Sequence, residues 1–247
     1  MNTQNFKIRI ILVEPEGPIN VGSIARLCAN FEVDQLRIIS PKCDILSLDA
    51  IKMSLKGFSY LDEYNVFNSL NEAIEDCDLV LATCGRVDNS KNNIQYSLEE
   101  ISDWVKSFNN IKNLGIVFGR ETRGLTNNEL LLAHRVFNIN TCNKYPSLNL
   151  SHAVSIVLYE LNQFSNQKLD KSKISFDIAS IKNIEESFRD IESLLMKIGY
   201  IFEHTANAKI SKFKRFILRA QTSEHELNTI RGIVHQINWA IKNQKNK

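Results

Sequence analysis

The chain has no C-x-x-C pair, no G-x-G-x-x-G, no Walker A loop and no G-x-S-x-G turn. Zinc ribbons, dinucleotide dehydrogenases, P-loop NTPases and α/β-hydrolases therefore lack their usual signatures here. Its cysteines (Cys28, Cys43, Cys77, Cys84 and Cys142) are odd in number and scattered. That spacing argues against a disulfide framework and reads instead as small hydrophobes in a reducing compartment. The histidines show no metal-ligand spacing, so no metal is expected. No apolar run reaches the ~20 residues of a membrane-spanning helix. The first residues, MNTQNFKIRI, lack the apolar centre of a signal peptide, which predicts a cytoplasmic protein without a membrane partner.

What is present is an ordinary globular composition, 43% hydrophobic and 23% charged, over 247 residues. The net charge of +2 is unevenly placed. Residues 1–165 carry 15 Lys+Arg against 19 Asp+Glu, and residues 166–247 carry 15 against 9. The basic C-terminal part is a candidate for nucleic-acid contact.

Short apolar runs at residues 8–14, 35–40, 79–83, 114–119 and 135–139 read as buried strands. Between them lie helical patterns. Asn20 is placed to cap a first helix, and Ser69/Glu72, Ser97/Glu100 and Thr126/Glu129 have capping-box spacing. Residues 148–161 form a strongly apolar helix. Strands alternating with helices predict an α/β fold with a mostly parallel sheet covered on both faces. The polar, Lys- and Ser-rich stretch at 166–178 reads as a linker. It divides a first domain, residues 1–165, from a small all-helical one, residues 179–247, with helical patterns at 178–198, 206–220 and 223–241.

Three polar islands interrupt this pattern: PINVGSIAR (18–26), FGRETRGLT (118–126) and PSLNLS (146–151). Each lies where an apolar run gives way to a loop or helix start, the place where ligands bind in parallel sheets. In the first, Gly22 and Arg26 share a helix face, and the missing side chain suggests room for a phosphate or ribose. In the second, Gly119 and Gly124 bracket Glu121. In the third, Pro146, Ser147 and Asn149 lead into the apolar helix. Each also has a plain structural explanation: a capped helix with a solvated arginine, a turn with surface ion pairs, and a Ser147 or Asn149 cap.

Together, in this order, the islands resemble the three motifs of the SpoU/TrmH family of RNA ribose 2′-O-methyltransferases, in the SPOUT superfamily. The matching residues are Asn20, Gly22 and Arg26; Gly119, Glu121 and Gly124; and Ser147, Leu148 and Asn149. The segments SKFKRFILRA (211–220) and LNTIRGIVHQINWAI (227–241) resemble the helical tail of the TrmJ group, which methylates the ribose at tRNA position 32. The resemblance implies a C-terminal trefoil knot in the sheet domain and a homodimer with the site near the subunit interface. It implies S-adenosylmethionine held by Thr83, Cys84 and Gly85, by Gly119, by Ile139, and by Pro146, Ser147, Leu148 and Asn149. The segment at 85–97 departs from the family: it keeps Arg86 and Lys91 but has no proline and fewer arginines.

Within that resemblance Arg26, Asn20, Glu121, Ser147 and Asn149 are the expected catalytic set. An arginine stays protonated. Its expected role is to clamp a phosphate and stabilise charge developing on the ribose oxygen. Glu121 is expected to orient backbone or Arg26, and Ser147 and Asn149 to position ribose and cofactor. Arg26 and the tail residues Lys209, Lys212, Lys214, Arg215 and Arg219 are the expected RNA contacts, with Phe213 and Phe216 interleaved. The expected activity is 2′-O-methylation of a tRNA ribose. Ribosomal RNA methylation is one alternative, and a non-catalytic RNA-binding protein of the same fold is another.

Overall fold

The computed structural model describes residues 6–61, 66–85, 95–108, 110–142, 144–165 and 178–244. The expected linker up to residue 177, and Arg86 and Lys91, lie outside the described residues.

The centre is a seven-stranded sheet: β1 (Lys7–Val13), β2 (Gln35–Ile39), β3 (Val66–Phe67), β4 (Leu79–Thr83), β5 (Gln95–Tyr96), β6 (Asn113–Phe118) and β7 (Arg135–Phe137). Their spatial order is β3-β2-β1-β6-β4-β7-β5, and every pairing between them is parallel. The five longest or most apolar strands are those the sequence predicts. The two-residue edge strands β3 and β5 are too short to leave a periodic signal.

Parallel strands buried on both faces read as continuous apolar runs. In β1, Ile8, Ile10 and Leu12 face one core, and Ile11 and Val13 face the other. The first face is covered by α1 (Pro18–Asn30), α4 (Leu98–Lys106) and α6 (Leu150–Ser165). The second is covered by α3 (Leu70–Ile74) and by the C-terminal helices α7 (Ile181–Lys197), α8 (Glu203–Ala220) and α9 (Glu224–Gln244). Ile184 and Phe188 of α7 belong to the same buried cluster as Ile11 and Val80. The Ile181 N–H also donates to the Cys77 carbonyl at 3.4 Å. The tail therefore closes the second face of the sheet.

Local signals fare unevenly. Ser97 and Thr126 form full capping boxes with Glu100 and Glu129, opening α4 and the short α5 (Asn127–Leu130). Ser69 caps α3, but Glu72 reaches back to the Asn68 N–H. Asn20 is not a cap: Gly17 holds that position and Pro18 is the first helical residue. Proline suits that place because its fixed φ is helical and its missing N–H would be unpaired anyway. The helix expected from Leu48 is α2 (Leu48–Ser54), followed by a 3-10 helix, Leu55–Tyr60.

Gly22 and Gly57 explain how α1 is seated. A Cβ on Gly22 would lie 2.2 Å from the Ala50 carbonyl oxygen of α2, and one on Gly57 2.2 Å from the Ala25 carbonyl oxygen of α1. Both glycines permit backbone-to-backbone contact. The room expected beside Gly22 for a phosphate or ribose is filled by Ala50.

Candidate active site

The loops leaving β4, β6 and β7 meet at the carboxyl ends of the strands around a cleft of about 180 Å³. Thr83, Cys84 and Gly85 form one wall, with the ladder extended by the Cys84 N–H donating to the Phe137 carbonyl at 2.9 Å. Phe118, Ile139 and Leu150 supply apolar surface, and Gly119 and Glu121 lie at the β6 exit. Pro146, Ser147 and Leu148 border the cleft on the third side. Eight of the nine residues expected to hold the cofactor therefore line one hollow. Asn149, the ninth, is exposed and does not line it.

Glu121 is the hub. Its carboxylate accepts from the Glu16 N–H at 2.9 Å, the Gly17 N–H at 3.1 Å and Asn20 Nδ2 at 3.0 Å. A carboxylate only accepts, so Asn20 must present its amide nitrogen there and its oxygen elsewhere. That oxygen accepts from Asn149 Nδ2 at 3.0 Å. The Asn149 oxygen is thus turned toward α6, where it accepts from the Ser151 N–H at 2.9 Å and Ser151 Oγ at 2.7 Å. One carboxylate sets the orientation of two amides in series and joins all three islands. Of the two expected options, Glu121 orients backbone, and Asn149 is the cap of α6.

A second clamp went unread in the sequence. Arg120 is buried, not a surface ion-pair residue. It donates to Glu14 at 2.8 Å, to both Glu129 oxygens at 3.0 and 2.9 Å, and to the Gly124 carbonyl at 3.2 Å. The Arg120 hydrogen bond, outweighing burial, holds the Glu14 carboxyl down at about 2. Burial pushes Glu129 up, but bonds from Arg120 and Thr126 bring it below its ordinary value. Glu14 leaves β1 with φ 45°, a left-handed conformation costing ~1–3 kcal/mol, and the clamp holds it there. The visible signal was the Thr126–Glu129 capping box, since Glu129 serves Arg120 and the cap together. Gly124, at φ 68°, makes the turn that folds the loop back. Gly119 has no room for a side chain because Gly124 and Leu125 pass within 2.4 Å of where its Cβ would sit.

Arg26 stands apart. It is exposed, lies about 120° around α1 from Asn20 at the helical repeat, and does not line the cleft. Among the described residues its side chain makes no hydrogen bond or ion pair.

The basic run on α8 divides. Lys214 is buried and paired with Glu185 of α7, so it is not an RNA contact. A buried lysine needs that partner, and the pair locks α8 to α7. Lys209 is exposed but donates to the Tyr200 carbonyl at 3.0 Å and lies 4.6 Å from the Tyr200 ring centre. Lys212 and Arg219 are exposed, and Arg215 is half-buried. Phe213 packs edge-on against Phe188 of α7, with ring centres 5.3 Å apart, while Phe216 is exposed. Among the described residues no cluster could hold a metal ion, and no helix is long and apolar enough to cross a membrane.

Comparison with known proteins places this geometry. The SpoU rRNA Methylase family matches residues 7–159, and the TrmJ C-terminal domain of tRNA methyltransferases matches residues 182–246. The chain is 36% identical to a tRNA (cytidine-2′-O-)-methyltransferase TrmJ of Methanocaldococcus jannaschii, over 90% of this chain and 96% of that protein. It is 32% identical to the protein of the same name in Sulfolobus acidocaldarius, over 97% of each. The crystal structure of TrmJ from Z. mobilis superposes with a TM-score of 0.79 at 25% identity, covering 93% of this chain and 98% of that one.

Proposed function

The chain belongs to the SpoU methylase family and ends in the TrmJ C-terminal domain; it is a tRNA ribose 2′-O-methyltransferase that uses S-adenosylmethionine, and we propose that its target is position 32 of the anticodon loop. The observation that carries the reading is the junction of the three islands through Glu121, Asn20 and Asn149 at a cleft floored by apolar side chains. The match of both the catalytic region and the tail to TrmJ proteins supports tRNA over ribosomal RNA.

The cleft suits the cofactor. Phe118, Ile139 and Leu150 offer a dry surface for a flat base, while Gly85, with nothing within 4 Å of a would-be Cβ, leaves backbone approachable. When bound, S-adenosylmethionine supplies an electrophilic methyl group on a sulfonium. In the transfer the ribose 2′-OH would release its proton to water as its oxygen bonds that methyl, and the methyl–sulfur bond would break to leave a neutral thioether. The protein contributes alignment and charge. The Glu121 relay fixes the Asn149 cap and with it the 146–149 loop that borders the cleft and would hold the methyl donor. Ser147, exposed at the rim, contacts ribose or cofactor. Arg26 clamps the phosphate beside the target ribose and stabilises charge on its oxygen.

Because Arg26 does not line the cleft of its own subunit, the working form in this reading is a homodimer in which Arg26 of one subunit serves its partner's cleft. Exposed Ile19 on α1 and Ile156 and Tyr159 on α6 supply apolar surface for that contact. Residues 1–165 form the catalytic unit and residues 179–247 the RNA-gripping extension, with Lys209, Lys212, Arg215 and Arg219 as its contacts. A tRNA substrate supports a cytoplasmic site of action.

Nucleoside mass spectrometry of tRNA from a deletion strain, with fragment mapping, tests the target. Loss of one 2′-O-methyl group at position 32 is the expected result. Loss at another anticodon-loop position would overturn the assignment, and an unchanged tRNA pool with a missing ribosomal RNA methyl would move the substrate.

A further inference from the structure

A second, smaller hollow of about 40 Å³ lies on the seam between β7 and α8. It has room for about three waters or one tetrahedral oxyanion. Arg135, from β7, and Arg215 and Arg219, from α8, all line it, together with Tyr96 and His134. The Arg135 guanidinium lies between two rings, its carbon 4.3 Å from the Tyr96 centre and 4.2 Å from the Trp104 centre. Stacking of this kind occupies the faces of the guanidinium and leaves its in-plane N–H groups for an acceptor. Neither Arg135 nor Arg219 forms an ion pair among the described residues. Burial, and then the Arg219 charge, push the Arg215 pKa down, so the two arginines of α8 stand close enough to repel each other. His134 is buried and accepts from the Val80 N–H through Nδ1 at 3.0 Å. Its neutral ring therefore carries the proton on Nε2, and that N–H has no partner among the described residues.

We propose that this seam binds one phosphate of the tRNA backbone, held by Arg135 on the sheet and Arg219 on the tail. The proposal rests on the reading of the chain as a tRNA methyltransferase and extends it. The site is built half from the catalytic sheet and half from the tail, so a phosphate bound there ties the two together while RNA is held. It also gives the tail's basic run a specific anchor, where a solvated helix face would offer only diffuse attraction.

The test uses the full-length protein, with Arg219→Gln, Arg135→Gln and the double variant, and with Arg189→Gln as a control. Arg189 is exposed on α7 and does not line the hollow. Binding of tRNA is followed by fluorescence anisotropy across a salt series. Each single variant of the hollow, Arg219→Gln or Arg135→Gln, is expected to bind about tenfold more weakly, the scale of one charge-assisted contact. Its slope of log affinity against log salt should shrink by about 0.7–0.9. The double variant should lose less than the product of the single losses, because both arginines hold one group. Cofactor binding should stay at the wild-type level. Arg219→Gln keeps the test readable if Arg135→Gln disturbs the ring sandwich.

Wild-type affinity and slope in Arg219→Gln would overturn the proposal, as would an equal loss in Arg189→Gln. Titration with inorganic phosphate separates the other source. Phosphate binding that Arg219→Gln abolishes, beside unchanged tRNA binding, would make this a free-anion site and reject the tRNA contact. Failure of the wild-type protein to methylate any tRNA would strike the activity instead, and leaves these binding comparisons intact.

Discussion

Substituting Gly22→Ala sets two readings of one residue against each other with opposite signs. Helix propensity alone favours alanine by about 1 kcal/mol within α1. If the space beside Gly22 were open to receive a phosphate, the substitution would stabilise the protein and weaken RNA binding. The structure instead puts the new methyl 2.2 Å from the Ala50 oxygen and 2.9 Å from both its carbonyl carbon and its Cα. These are backbone atoms of α2, which cannot turn aside as a side chain would. Overpacking of this kind costs about 1–3 kcal/mol, and rigid backbone neighbours put it at the upper end. The clash therefore outweighs the propensity gain and leaves a net loss of about 1–2 kcal/mol. For a chain of this length that lowers Tm by about 2–8 °C. Differential scanning calorimetry of the variant measures it directly. A rise in Tm would refute the packing argument and restore the space to a ligand.

Arg26→Ala is expected to leave cofactor affinity within about twofold and to lower single-turnover methyl transfer by at least about a hundredfold; calorimetric titration and quench-flow read the two, and retention of most of the rate would reject the role. If Arg26 serves the partner's cleft, mixing Arg26→Ala with an inactive Asn149→Ala protein should restore about a quarter of wild-type activity through heterodimers, whereas no recovery after verified subunit exchange would place Arg26 in its own subunit. Stability should fall on acidification in two windows. Burial holds His134 at about 4 against an ordinary 6.5, so only the unfolded imidazole takes up a proton as pH drops from 6.5 to 4, and stability declines. Glu14 is depressed from 4.5 to about 2 by Arg120, so its contribution is complete above 4.5 and is lost as pH falls toward 2. His134→Gln, which keeps an acceptor for the Val80 N–H, should flatten Tm against pH in the upper window, and an unchanged profile would contradict the burial argument.

Local periodicity determined much of this protein. The five main strands, the full capping boxes at Ser97 and Thr126, and the three tail helices follow from patterns that need no distant partner. The islands were legible for a related reason: glycines, a carboxylate and amides at strand exits stand out against apolar runs. What they do to one another was not legible. Asn20 has the composition of a cap, yet its side chain is spent on Glu121, about a hundred residues on in the sequence. Gly22 looked like an opening and is a contact, because only the folded chain brings Ala50 against it. Arg120 and Arg123 are alike on the page. The tertiary structure buries one between Glu14 and Glu129 and leaves the other exposed. Lys214 shares its helix with Lys212, but its place in the helical repeat turns it inward to Glu185. Sequence carries the interactions of residues a few positions apart. Which of two equivalent side chains is buried, paired or free depends on contacts between elements, and those exist only once the sheet and the tail have closed on each other.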